Sequence, residues 1–448
     1  MGGDITFRGA ELVLSTGVVD GDLAVRDGRI VAIGAVEQPV GEVIDARGLT
    51  ILPGVIDPQV HFREPGNEHK EDLETGSRAA AAGGVTAFLE MPNTRPPTST
   101  FAALEDKLAR AQDRCRAHYG FFFGATPDNA DLTATVEGAC GIKIFMGSST
   151  GTLLVNEQDA LERHFAGARI PIAVHAEDEA RLRERYARYA GATDPGLHAV
   201  IRDPQAALIA TRRAVDLAER HQKRLHVLHL STAEEVAFLR ERPDDGLVTT
   251  ETLPQYLWLD ASWYAKLGTH LQMNPPVRDL RHQRALWAGL LDGTIACIAT
   301  DHAPHTLEEK ALPFGEAPSG MPGVELSLPL MLNAVAEGRC SIQHLARWMS
   351  EAPARIYGLT GKGRLAVGAD GDLTVVDRKL VRTVHADDLH TRAGWSPFEG
   401  WTLRGWPVMT VLGGRPVFRD GAFVEGVFGA PLRFDPAPRV PRAPAVAS

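Results

Sequence analysis

Residues 141–175 read GIKIFMGSSTGTLLVNEQDALERHFAGARIPIAVH. A short apolar run, Gly141–Phe145, gives way to a charged stretch of helical character. A second apolar run, Ile170–His175, follows. Short apolar runs with turn residues around them fit buried strands, and a helix between two of them makes a parallel pair. The pattern extends in both directions. Leu52–Ile56, Val85–Leu89 and Tyr119–Phe123 come before it, with a helix predicted at about Phe101–His118. Leu225–His229, Leu247–Glu251 and Ile295–Thr300 come after it. Eight strands alternating with helices predict a closed (β/α)8 TIM barrel of the α/β class. The competing architecture is an open doubly wound sheet, but no GxGxxG opens a helix after a strand. Gly361-Lys362 is followed by Gly363, so there is no Walker A loop.

Both ends of the chain have a different texture. Ile5–Phe7, Glu11–Leu14, Asp22–Arg26, Ile30–Ile33 and Glu42–Asp45 are short strand-like runs separated by turns such as Asp27-Gly28. Leu373–Val376, Val408–Leu412 and Val417–Arg419 repeat it near the C-terminus. One β-sandwich subdomain built from both termini is expected. The expected division is 1–51 and 362–427 for the sandwich, 52–361 for the barrel and 428–448 for a Pro/Ala/Arg-rich tail on the surface.

Composition narrows the function. Among 448 residues, 44% are apolar and 23% charged, which suits a globular chain. Lys+Arg 47 against Asp+Glu 57 leaves a net charge of −10, with no basic block, so nucleic acid is not an expected partner. No apolar run is long enough for a membrane span, and no signal peptide is evident. Cys115, Cys140, Cys297 and Cys340 are scattered, which fits a reducing cytoplasm.

Chemistry in such a barrel belongs at the C-terminal strand ends. Asp57–Gly66 (DPQVHFREPG) follows strand 1, and alternation puts Gln59 and His61 on one side. Strand 2 ends at Glu90-Met91-Pro92-Asn93. Lys143 lies in strand 4, His175 ends strand 5, His229 ends strand 6, and strand 8 runs into Asp301. Each residue alone has an ordinary reading: a satisfied core histidine, or a helix N-cap for Asp301. Together, three histidines, a carboxylate and a lysine on five strands form a candidate metal site. Its N/O donors suit Zn²⁺ best. Lys143 sits between Ile142 and Ile144, where an ammonium is costly. Carboxylation by CO₂ would turn it into an anion able to bridge two cations.

These motifs resemble the amidohydrolase superfamily, and within it the cyclic-amide hydrolases of the long bacterial dihydroorotase type. Besides DPQVHFREPG, the resemblance rests on Met91–Thr94 (MPNT), Val174–Asp178 (VHAED), His226–Thr232 (HVLHLST), Gln272–Arg278 (QMNPPVR), Thr300–His305 (TDHAPH) and Ser396–Leu403 (SPFEGWTL). It implies a binuclear zinc site, with His61 and Asp301 on the first metal, His175 and His229 on the second, and carboxylated Lys143 bridging. It further implies Asp301 as the catalytic acid–base group. Arg63, Asn93, Asn274 and His305 would grip the substrate. The implied reaction interconverts L-dihydroorotate and N-carbamoyl-L-aspartate in pyrimidine biosynthesis, in a cytoplasmic homodimer or homotetramer acting on a small molecule. Hydantoinase, dihydropyrimidinase or allantoinase activity is the enzymatic alternative, since Gly141–Gly151 resembles those enzymes. One departure matters. The family's His-x-His is Gln59-Val60-His61 here, and an amide oxygen is a weaker ligand than imidazole. A weakly held or absent first metal is expected, with Glu90 as a candidate to orient the Gln59 amide. A noncatalytic scaffold related to dihydroorotase is the alternative from another class.

Overall fold

The computed structural model describes residues 3–149, 151–435 and 439–442. Its centre is a parallel barrel. The first strand, Val55–Val60, pairs with the second, Val85–Glu90, which pairs with His118–Phe121. The third strand resumes at Phe123–Gly124 beside the fourth, Ile142–Phe145. Thus its first half bonds to the preceding strand and its second half to the following one. Ile172–His175, Leu225–Val227, Val248–Thr252 and Cys297–Ile298 complete the set, each parallel to its predecessor. The ring closes through a parallel bridge between Val60 and His302, where His61 N donates to His302 O at 2.7 Å. The strand residues are buried almost throughout, as expected for a parallel sheet covered on both faces. The strands lead into helices such as Phe101–Ala111, Gln158–Gly167 and Pro204–His221. The first of these ends earlier than expected: residues beyond Ala111 turn back, and His118 already begins a strand.

The β-rich ends do meet. They form one continuous sheet of nine strands in which Thr50–Pro53 pairs antiparallel with Leu373–Thr383. Ile5–Leu14 is the pivot. One edge pairs with Gly17–Arg26. The other pairs first with Glu42–Asp45 and then with Thr50–Pro53. Its apolar core includes Phe7, Leu12, Leu23, Val25, Ile51, Val375 and Val411. The hairpin at Asp27-Gly28 has positive φ at both residues, the conformation a two-residue turn of that hand requires.

Leu52 and Pro53 therefore belong to the terminal sheet, and the barrel begins after Gly54. A Cβ on Gly54 would lie 2.3 Å from Thr86 Oγ1, so only glycine lets the chain cross so closely. Asp372 fastens the junction. Its carboxylate takes Lys362, His118 and Gly413 N, and its carbonyl takes Gly54 N. The described part of the tail lies across the N-terminal end of the barrel. Leu432 N donates to Tyr119 O and Val440 N to Gly246 O, and both side chains are buried.

Candidate active site

Gln59, His61, Arg63, Asn93, Lys143, His175, His229, Asn274 and Asp301 line a single pocket at the C-terminal strand ends, beside Phe145, Ser149, Ser319 and Gly320. His305 sits just behind, its Nε2 3.2 Å from Arg63 Nη2. Nine of the ten residues singled out from sequence share the pocket wall, and the tenth touches it. His229 and Asp301 have φ of 40° and 46°. Left-handed backbone in residues other than glycine is held by surrounding structure and clusters at functional sites.

The hydrogen bonds leave lone pairs facing one another. His61 Nδ1 lies 2.6 Å from Asn93 Oδ1, an acceptor, so the ring proton is placed there. Its Nε2 then presents a lone pair to Asp301 Oδ1 at 3.0 Å. His175 repeats the arrangement. Its Nε2 donates to Glu177 Oε2 at 2.9 Å, and its Nδ1 faces His229 Nε2 at 3.1 Å. His229 Nδ1 is buried and has no partner among the described residues. Two ligands on a tetrahedral zinc with bonds of roughly 2.0–2.1 Å are about 3.3 Å apart. The donor set and its spacing thus fit metal ions.

Lys143 lies among these groups. It is 1% exposed, and no carboxylate of the described residues lies within ion-pair distance of its Nζ. Burial pushes its pKa down to about 7, against the pull of Asp301 and Glu251. Its charge is felt at His61, His175 and His229, whose own pKa values burial depresses first.

Gln59 is tied to Asp301 through its amide nitrogen. Its Nε2 donates to Asp301 Oδ1 at 3.0 Å, and its Oε1 is buried without a partner among the described residues. Glu90 does not orient it. That carboxylate is bound to Lys107 on the far side of strand 2, and both side chains are fully buried. Burial raises Glu90 to about 7 despite Lys107.

Arg63 is 4% exposed, and its Nε donates to Pro304 O at 3.1 Å. It does not pair with Glu64, which binds Arg114 instead, 2.8 Å away. Among the described residues, no carboxylate forms an ion pair with Arg63. Burial lowers its pKa to about 10. Asn274 Oδ1 accepts from His198 Nε2 at 3.0 Å.

Sequence reasoning assigns no role to Glu177 or Arg202. Arg202 Nε lies 3.0 Å from Glu177 Oε2, and Nη2 bonds it too. Burial raises the Glu177 carboxyl, but Arg202 and His175 overcome this and hold it at about 2. The signal is present in VHAED: two residues beyond His175 on an extended chain is the same side. A deeper group, His226, Glu251 and Cys297, also has metal-ligating types, but both His226 nitrogens are occupied, by Thr249 Oγ1 at 2.8 Å and Glu251 Oε2 at 3.0 Å. It reads as a satisfied core pair.

Comparison with known proteins extends this picture over the chain. Residues 50–417 match the amidohydrolase family. The dihydroorotase of Methanothermobacter thermautotrophicus is 36% identical, covering 93% of this chain and 96% of that protein. That of Halobacterium salinarum is 39% identical over 94% and 99%. Among solved structures, L-hydantoinase (dihydropyrimidinase) from Arthrobacter aurescens superposes with a TM-score of 0.92 at 31% identity, covering 97% of this chain and 100% of that one. Dihydropyrimidinase from Brevibacillus agri gives 0.90 at 28%, over 98% and 100%. The pocket thus sits in a frame shared nearly end to end with these proteins, and the chain belongs to the amidohydrolase family.

Proposed function

We propose that this protein is a zinc-dependent dihydroorotase, interconverting L-dihydroorotate and N-carbamoyl-L-aspartate in the cytoplasm. Its family and relatives make it a hydrolase of C–N bonds in cyclic amides, of a metal-dependent kind. The choice of ring rests on Arg63. A buried guanidinium in the pocket wall with no carboxylate partner among the described residues supports a substrate that brings one. Dihydroorotate has that group; hydantoin, allantoin and dihydrouracil do not. Four free cysteines, three of them buried, suit the cytoplasm.

The ligand assignment follows the lone pairs. His61 and Asp301 would hold the first metal, His175 and His229 the second, and Lys143 would bridge as a carbamate. With burial lowering its pKa to about 7, a substantial neutral fraction of Lys143 near pH 7 is able to attack CO₂ and release a proton. Zinc bound there supplies an acidified water and an electrophile for the ring carbonyl. Asp301 accepts the nucleophile's proton and delivers it to the departing ring nitrogen. Gln59 Nε2 holds the Asp301 carboxylate by donating to Oδ1 while it does so. Arg63, with Asn93 and Asn274 in the pocket wall and His305 behind it, orients the ring through its carboxylate.

The test is a substrate panel on zinc-loaded protein. Dihydroorotate should be preferred over hydantoin, allantoin and dihydrouracil. Arg63→Met should raise its KM about 10- to 100-fold through lost charge-assisted bonds. Preference for hydantoin or allantoin would overturn the assignment. A folded, metal-loaded protein that turns over none of them would favour a noncatalytic role.

A further inference from the structure

Behind Arg63, the His305 imidazole is caught between two cations. Lys70 Nζ lies 3.1 Å from Nδ1, and Arg63 Nη2 lies 3.2 Å from Nε2. Two acceptors compete for the same nitrogens: Glu309 Oε2 at 3.4 Å from Nδ1 and the Ser319 carbonyl at 3.2 Å from Nε2. The ring is 1% exposed, and burial together with Arg63, Lys70 and Lys310 keeps it neutral. A neutral imidazole has one N–H and one lone pair, so only two patterns exist.

In the first, Nδ1 accepts from Lys70 and Nε2–H donates to the Ser319 carbonyl. Arg63 then keeps its Nη2 protons for the pocket. In the second, Nδ1–H donates to Glu309 and Nε2 accepts from Arg63, which spends the guanidinium inside the protein. Lys70 decides between them. It is closer to Nδ1 than Glu309 is, and it also occupies Glu309 Oε1 at 2.9 Å. Thr306 N donates to the other oxygen, Oε2, at 3.2 Å. Glu309 is therefore a poor competitor for the imidazole proton.

We infer that Lys70 is a positioning residue for substrate specificity: by donating to Nδ1 of His305 it fixes the tautomer that leaves Arg63 available for a substrate carboxylate. Lys70 touches neither the reacting atoms nor the pocket lining, and it acts through the ring. The inference rests on the dihydroorotase reading for its kinetic consequence, though not for the tautomer itself.

Wild type, Lys70→Met and Lys70→Arg would be compared as zinc-loaded proteins on dihydroorotate. Lys70→Met should raise KM about tenfold, the effect of one weakened charge-assisted contact, with kcat within about twofold. Lys70→Arg should restore most of the loss, because a guanidinium also donates to Nδ1. In histidine-labelled protein, ¹⁵N shifts assigned with His305→Gln should show Nε2–H in wild type and Nδ1–H in Lys70→Met. Equal losses in kcat and KM, or an unchanged tautomer in Lys70→Met, would overturn the inference. If wild type does not turn over dihydroorotate, the substrate reading fails, while the tautomer comparison still decides what Lys70 does.

Discussion

Gln59 leads to a prediction of unequal metal affinity at the two halves of the proposed site. Its amide N–H is spent on Asp301, and its oxygen has no partner among the described residues. In the proposed assignment the first metal would have His61, Asp301 and the Lys143 carbamate, one imidazole short, while the second would keep two histidines. Titrating apo-protein with zinc should reveal one tight and one weak site, with Gln59→His tightening only the weak one. Two equal tight sites in wild type would sink this asymmetry. Lys143 leads to a prediction about stability. Its folded pKa of about 7 is below the ordinary 10.5. The unfolded chain therefore binds the proton more strongly. The resulting destabilisation is full below about pH 7 and fades as pH rises toward 10.5. Urea unfolding of metal-free protein should show wild type gaining stability between about pH 7 and 10 relative to Lys143→Met. Parallel pH curves for the two proteins would contradict the burial of an unpaired ammonium.

Strands carry the candidate ligands, but the groups behind each one set its quality. Glu177 places the His175 proton on Nε2 and so exposes the Nδ1 lone pair. Arg202 holds Glu177, and it sits directly before Asp203, whose carboxylate caps the helix Pro204–His221 through Ala206 N. Glu177→Gln should weaken zinc at the second position by about 10- to 100-fold, measured by chelator competition. Unaltered affinity would show that the tautomer needs no carboxylate. These supports also mark the limit of what the sequence makes legible. The eight strands are legible because each is a short apolar run, and the candidate ligands because most of them lie at strand ends. The switch at Gly54 is not, since 50–56 is apolar on both sides of it and periodicity cannot tell two buried sheets apart. The partner of Glu90 is hidden for a related reason: Lys107 lies on a helix, and its burial depends on packing that no local pattern records. The segment 391–395 falls within the stretch expected to join the terminal β region. It returns instead to the barrel mouth, where Trp395 Nε1 donates to His305 O at 2.8 Å.

At the scale of the whole molecule, Asp372 is the rivet between sheet and barrel. Burial opposes its charge, but His118 and Lys362 hold its pKa far below the ordinary carboxylate range. This contribution is present above the unfolded pKa of about 3.9 and is lost as pH falls below it. Asp372→Asn removes the charge that Lys362 and His118 bond, though Lys362 keeps Asp370 at 3.0 Å, and should cost about 1.5–3 kcal/mol in urea unfolding at about pH 7. A loss under about 1 kcal/mol would place the junction's strength elsewhere. The sheet that Asp372 anchors also imposes an order on synthesis. Pro53 pairs with Leu373, 373 − 53 = 320 residues later. At about 5–20 residues per second, a ribosome needs roughly 15–60 s to supply that partner. Throughout that interval the Thr50–Pro53 strand has an open edge outside the exit tunnel, and such edges recruit other chains. The nascent chain is therefore predicted to need a holding chaperone until the barrel has been made, and overexpression faster than chaperone supply should send it into inclusion bodies.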